Sequence, residues 1–113
     1  MEAFAKLEHV RLSPYKTRLV ADLVRGKSVD QAVSILDSVP NRAAVTIKKV
    51  LLSAAANAEN NFRMNRDALY VSKILIDGQG AVKRVSPRGM GRADIVRKPL
   101  SRIYVSVSEK EEA

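Results

Sequence analysis

Seven basic side chains fall between residues 83 and 102 of this 113-residue chain: Lys83, Arg84, Arg88, Arg92, Arg97, Lys98 and Arg102, with Asp94 the one acid among them. Five of the seven are arginines. A guanidinium is a planar fork of N–H donors that grips phosphate through two oxygens and stacks on bases. The chemistry such a density supports is recognition of a polyanion. The window carries +6 of the chain's net +8, so it repels itself until an anion neutralises it. Nucleic acid is the partner that fits this description. Val82, Val85, Met90, Ile95 and Val96 interrupt the charge, as in an arm that inserts into its partner.

Residues for covalent or acid–base chemistry are sparse. His9 is the single histidine and there is no cysteine, so no Cys–His nucleophile pair, disulfide framework or thiolate metal site can be assembled. The carboxylates show neither the spacing of a catalytic pair nor that of metal ligands. Ser13 near His9 reads as a helix cap, and His9 as a surface or half-buried strand residue. Gly89-Met90-Gly91-Arg92 lacks the strand-before, helix-after context of a phosphate-cradling loop, and reads as a turn at the tip of the arm. No enzyme, metal or cofactor is expected. A second basic cluster, Lys6, Arg11, Lys16, Arg18, Arg25 and Lys27, contains Glu8 and Asp22. It is read equally as a phosphate-binding surface and as a solubilising one.

The elements that position these residues follow from period and punctuation. Ala3 to Val10 alternates as a strand, with Ala3, Ala5 and Leu7 opposite Phe4, Lys6 and Glu8. Ser13-Pro14 starts a first helix whose apolar stripe is Tyr15, Leu19, Val20, Leu23 and Val24, and Gly26 ends it as a left-handed cap. Ser28-Val29-Asp30-Gln31 is a capping box for a second helix with Val29, Ala32, Val33 and Leu36 inward, stopped by Pro40. Asn41 caps a third, with Ala44, Ile47, Leu51, Ala54, Ala55 and Ala58 buried, ending near Asn60-Asn61. From Leu69 to Asp77 the period becomes two, with Leu69, Val71 and Leu75 on one side and Tyr70, Ile74 and Ile76 on the other. Ile103, Val105 and Val107 alternate with Tyr104, Ser106 and Ser108 in a last strand that pairs antiparallel with it.

The fold class expected is α+β: three helices packed on a small three-stranded antiparallel sheet, with a long protruding basic β-hairpin. The chain reads as a single domain over 1–113, with the hairpin arm at 78–102 and a frayed acidic tail at 109–113. Removing the arm leaves roughly 90 residues, enough for one modest core. Hydrophobic content is 46% and aromatic content 4%, which implies a core of aliphatics and alanines. Met1-Glu2-Ala3 does not open a signal peptide and no apolar run approaches a membrane span, so a soluble protein of the cytosol or an organelle, without membrane contact, is expected.

Four strings together, VRLSPYKTRLVADLVRGKSVDQAVSIL (Val10 to Leu36), KKVLLSAAANAENN (Lys48 to Asn61), LYVSKILID (Leu69 to Asp77) and KRVSPRGMGRADIVRK (Lys83 to Lys98), resemble the bacterial form of the large-subunit ribosomal protein twenty-two family. The resemblance covers nearly the whole chain in order. It implies a non-enzymatic protein of the large ribosomal subunit that binds large-subunit ribosomal RNA, aids assembly, and sends a hairpin to line the polypeptide exit tunnel. It further implies RNA contacts for Arg11, Ser13, Lys16, Arg18, Arg25 and Lys27, for Asn57 and Asn61, and for Lys83, Arg84, Arg88, Arg92, Arg97 and Lys98. The tip facing the tunnel would be Pro87, Arg88, Gly89, Met90, Gly91 and Arg92. The implied partners are ribosomal RNA, neighbouring large-subunit proteins and the nascent polypeptide, with the free protein a monomer. Departures are Met90, where the family is often basic, the turn Asp77-Gly78-Gln79-Gly80, and the return Pro99-Leu100-Ser101-Arg102. From the charge alone, the competing reading is a DNA-architectural protein with a basic β-arm in a groove. A small RNA-modifying or RNA-cleaving enzyme is a third, opposed by the single histidine and the lack of a carboxylate pair.

Overall fold

The computed structural model of the chain describes residues 2–88 and 92–109, with side chains for residues 2–80 and 99–109. The expected tip turn Gly89-Met90-Gly91 and residues 110–113 of the expected acidic tail therefore lie outside the described residues, as do the side chains of the arm. Glu109, expected in that tail, is instead the last residue of the final strand, opposite Leu69, and its Oε1 accepts from the Asn65 N–H at 2.7 Å.

Three helices follow a first strand, β1 (Glu2–Val10): α1 (Pro14–Val24), α2 (Val29–Ser38) and α3 (Arg42–Phe62). Two start as the sequence dictates. The Ser28 hydroxyl accepts from the Gln31 N–H at 3.3 Å, and Asn41 Oδ1 accepts from the Ala43 N–H at 2.9 Å. Ser13 occupies the N-cap of α1, but its hydroxyl caps no N–H. That start is held from within the helix. Pro14 presets the first turn, and buried Thr17 donates both its N–H and its hydroxyl to the Ser13 carbonyl at 3.0 and 2.7 Å. Gly26 follows α1 at φ +81°, as its sequence position implies. The third helix outruns the asparagines and ends at Phe62, with Arg63 left-handed at φ 53° and the Met64 N–H reaching back to the Ala58 carbonyl at 3.0 Å.

The stripe read for α1 is corrected. Its buried face is Thr17, Val20, Ala21 and Val24, whereas Tyr15, Leu19 and Leu23 stay exposed at 71%, 56% and 48%. Thr17 and Ala21 are small enough to let the helix lie close to its neighbours, and this proximity decides which side faces in.

A 3-10 turn (Arg66–Ala68) leads into β2 (Leu69–Arg88), and β3 (Arg92–Glu109) returns antiparallel to it. The sheet order is β1-β3-β2, so the last strand is the central one. Residues 69–76 do not alternate as a plain strand. A bulge between Val71 and Lys73 inserts one residue, and Leu69, Val71, Ile74 and Ile76 all face the helices. Leu75, expected beside Leu69 and Val71, is therefore on the open face and 46% exposed. Ile103, Val105 and Val107 are fully buried opposite it. Ser106 is buried too, because it lies between two strands: its hydroxyl accepts from Ser72 Oγ at 3.3 Å and donates to Glu2 Oε2 at 3.1 Å.

The core joins the three strands to α3, whose Ala44, Ile47, Leu51, Ala54, Ala55 and Ala58 are all at 0% exposure. Burying an Ile or Leu side chain contributes roughly 1.5–3 kcal/mol relative to leaving it exposed. The alanines contribute little individually, but bring α3 close to the sheet. The β2–β3 ladder continues past this core as an unbroken register from Ala81↔Pro99 to Arg88↔Arg92. Principal extents of 68 × 26 × 18 Å and a radius of gyration of 17.2 Å reflect that projection. A compact chain of this length would have a radius near 13 Å. Deleting residues 83–98 and joining the strands by a two-residue turn is expected to preserve cooperative thermal unfolding. The described core ends at Ile76 on the way out and resumes at Ile103. Loss of the transition in a calorimetric scan would show that the arm packs on the body.

Candidate nucleic-acid interface

Helix α1 lies along the free edge of β2, and Arg18 within it and Arg25 just after it occupy that edge. Arg18 donates from Nε and Nη2 to the Ile76 carbonyl at 3.0 and 2.8 Å. Arg25, seven residues on, donates from Nη2 to the Ile74 carbonyl at 2.9 Å and pairs through Nη1 with Asp22. The Gly26 N–H bonds the Val71 carbonyl at 3.0 Å, and the Val71 N–H returns to the Lys27 carbonyl at 2.8 Å. An edge strand with unpaired carbonyls is a template for unwanted pairing, and guanidinium donors satisfy it without adding a strand. Each arginine keeps part of its donor fork facing outward, since both side chains remain exposed. Arg11, Lys16 and Lys27 are exposed and make no ion pair among the described residues. Ser13 is half-buried.

The root of the arm is held against the same region. The Ser101 hydroxyl, fully buried, donates to the Leu12 carbonyl at 2.6 Å. The His9 N–H donates to Gln79 Oε1 at 2.6 Å, from a left-handed His9 backbone at φ 56° that ends the regular part of β1. Gly78 sits 3.6 Å, measured from the position of an added Cβ, from the Pro14 ring. Gly80 at φ +82° forms the bulge between Gly78 and Ala81, where the arm leaves the body. Arg102 pairs with Asp77 at 2.8 Å across the strands, and this hydrogen bond, followed by the charge of Asp77, raises the guanidinium pKa above its ordinary value. Residues 77–80 and 101–102 thus form a braced root, fastened to the β1–α1 connection.

Arg18, Arg25 and Lys27 lie along the edge strand that becomes the outgoing limb of the arm, some sixty residues away in sequence. Arg11, before α1, and Lys16, about 160° round the helix from Arg18, are not placed on that edge. The arm's own Lys83, Arg84, Arg88, Arg92, Arg97 and Lys98 sit on paired backbone, and their side chains, with that of Pro87, lie outside the described residues.

Asn57 and Asn61 are elsewhere, on α3 beside the opposite edge of the sheet. Asn57 Nδ2 donates to the Phe4 carbonyl at 2.9 Å, and Asn61 Nδ2 donates to Asn57 Oδ1. They border a polar groove of about 520 Å³ between α3 and β1 that also takes in Lys6, Ser53 and Asn60. Sequence reasoning missed Ser53 and Asn60. The available signal was helical spacing, since residues 53, 57, 60 and 61 fall on one side of a helix.

Comparison with known proteins gives a consistent result. The family profile described as Ribosomal protein L22p/L17e matches residues 5–108. The protein named large ribosomal subunit protein uL22 from Thermoanaerobacter pseudethanolicus is 57% identical over 111 residues, covering 98% of this chain and 100% of the relative. Proteins of the same name from Fusobacterium nucleatum and Pelotomaculum thermopropionicum are 56% and 48% identical over 98% and 99% of this chain. They cover 100% and 99% of the respective relatives.

Proposed function

The chain belongs to the L22p/L17e family of ribosomal proteins, and from that premise we propose that it grips large-subunit RNA along the α1–β2 edge and carries the contact outward on its arm to the wall of the exit tunnel. It is a structural protein of the large ribosomal subunit in the cytoplasm, binds ribosomal RNA, and is not an enzyme. The observation behind the proposed contact surface is continuity: the basic edge of α1 runs into the root of a paired basic arm. Folded RNA offers dense phosphate and crevices that a globular body cannot enter. Eight paired residues beyond the Gly80 bulge extend about 27 Å at the usual strand rise.

In this reading Arg88 and Arg92 anchor the tip to phosphate, while Met90, uncharged and flexible, faces the tunnel and the nascent chain. Neighbouring large-subunit proteins complete the environment of the body, and the free protein is a monomer. A DNA-architectural role has no support among the relatives. Co-sedimentation is the direct test. The chain is expected to remain with large subunits through a high-salt wash, and a photoreactive probe at position 90 to label a nascent peptide. Release of the chain into the free pool would sink the RNA reading. A retained chain whose probe labels only RNA would sink the tunnel assignment alone.

A further inference from the structure

The face of the sheet turned away from the helices carries a pocket of about 320 Å³ lined by Phe4, Lys6, Leu75, Asp77, Arg102 and Tyr104. Tyr104 is on the central strand, with Lys6 opposite it on β1 and Leu75 opposite it on β2. The Phe4 and Tyr104 rings stack, with centroids 5.3 Å apart and 23° between planes. Phe4 and Leu75 are nonetheless 49% and 46% exposed, so the stacked pair presents an uncovered aromatic surface beside an aliphatic wall.

We propose that this pocket receives a single unpaired nucleobase of the bound RNA, stacked on the Phe4–Tyr104 pair, with its phosphate at Lys6 and Arg102. The inference rests on the ribosomal RNA reading above and names a second mode of contact within it. Aromatic side chains on an open antiparallel sheet are a general solution for splayed-out bases, because every base has a π-face. The charges at the rim suit the rest of the nucleotide. Arg102 commits Nη2 to Asp77 and keeps its other N–H donors, while Lys6 meets Glu8 only at an exposed 3.6 Å. Lys73 adds a further exposed cation on β2. Position also favours RNA over a protein segment. Asp77 and Arg102 form the rung at the root of the arm, so a strand of RNA following the arm's base passes directly over the pocket.

Two measurements decide the matter. With p-benzoylphenylalanine in place of Phe4, irradiation of assembled large subunits should yield an adduct to an unpaired nucleotide. An adduct only to another protein, or only to base-paired RNA, overturns the proposal. Separately, the purified full chain is titrated with a ten-nucleotide single-stranded RNA. Phe4→Leu and Tyr104→Leu keep apolar bulk and should retain a cooperative thermal transition, lowered only by the loss of one exposed ring stack. Each should weaken binding about 5- to 150-fold while leaving the salt slope unaltered, since stacking is lost and phosphate contacts are not. Affinity within about two-fold of the wild type for both variants would also overturn it, against a stacking loss of that size. Failure of the wild-type chain to enter large subunits would remove the RNA reading itself, and the pocket with it.

Discussion

A variant carrying glutamine at Lys83, Arg84, Arg88, Arg92, Arg97 and Lys98 loses most of its affinity for large-subunit RNA at low salt, and its remaining affinity is far less sensitive to salt. Every phosphate neutralised by a lysine or arginine releases counterions, which contributes roughly 0.7–0.9 log units of affinity per log unit of salt. If all six side chains contact phosphate, the slope of a log–log titration falls by roughly four to five. Between 50 and 200 mM salt the intact arm accounts for about a thousand-fold loss of binding, which the variant does not show. Fluorescence anisotropy with an RNA fragment over that range measures it. An unchanged slope would mean that these cations point into solvent. Arg18 and Arg25 are a different case. Each donates to a carbonyl of β2, so replacing them disturbs the body as well as the RNA contact.

Deleting Ser72 leaves the protein folded, while deleting Leu75, three residues away, unfolds it. Four residues, Ser72 to Leu75, span the gap between Val71↔Val107 and Ile76↔Ile103, where the partner strand supplies three. Without Ser72 the segment becomes regular: Lys73 outward, Ile74 inward, Leu75 outward. The cost is the hydrogen bond from Ser72 Oγ to the Ser106 carbonyl, about 1 kcal/mol. Without Leu75 the same regularisation turns Lys73 into the core opposite Val105 and pushes Ile74 into water. Burying an unpaired ammonium costs several kcal/mol, and losing the burial of Ile74 adds roughly 1.5–3, against a total stability of about 5–15. Circular-dichroism melts of the two deletions give the comparison. Equal stability of both would show that the bulge does not set the register.

That bulge also marks where the sequence stopped being legible. A strand from Leu69 to Asp77 was plain from its period, but the extra residue is defined by its partner strand, and strict alternation placed Leu75 on the wrong face. The expected inward positions of helix α3 are all buried, because they are apolar and its outward positions are mostly polar; Ala43 and Val50 add to that face and the helix runs on to Phe62. Helix α1 was not: it is apolar on two sides, and packing distance, favouring Thr17 and Ala21, chose between them. The caps at Ser28 and Asn41 were visible because they are local, whereas the Ser101–Leu12 and His9–Gln79 bonds at the arm's root join segments some seventy to ninety residues apart. The basic clusters could be counted in the sequence. That Arg18 and Arg25 lie on the edge of the strand leading into the arm is a property of the fold.

The central position of β3 has a consequence for the order in which the protein can be built. Neither β1 nor β2 pairs with the other; among the three described strands each pairs with β3, and β2 otherwise meets only the single bridge Ser28↔Tyr70. A chain synthesised from its N-terminus therefore produces both outer strands first and the strand that joins them last. Until residues from Arg92 onward have been made, no rung of the sheet exists, and Ile47 and Leu51 have no Ile103, Val105 or Val107 to lie against. Local helices can flicker meanwhile, but the long-range contacts that stabilise them arrive together, and closing such distant pairs is slow. The pair Glu2↔Ser108 then sets the outer ends of β1 and β3 side by side. Because β3 is the strand that joins the other two, the three-stranded sheet closes only after residues 92–109 have been synthesised.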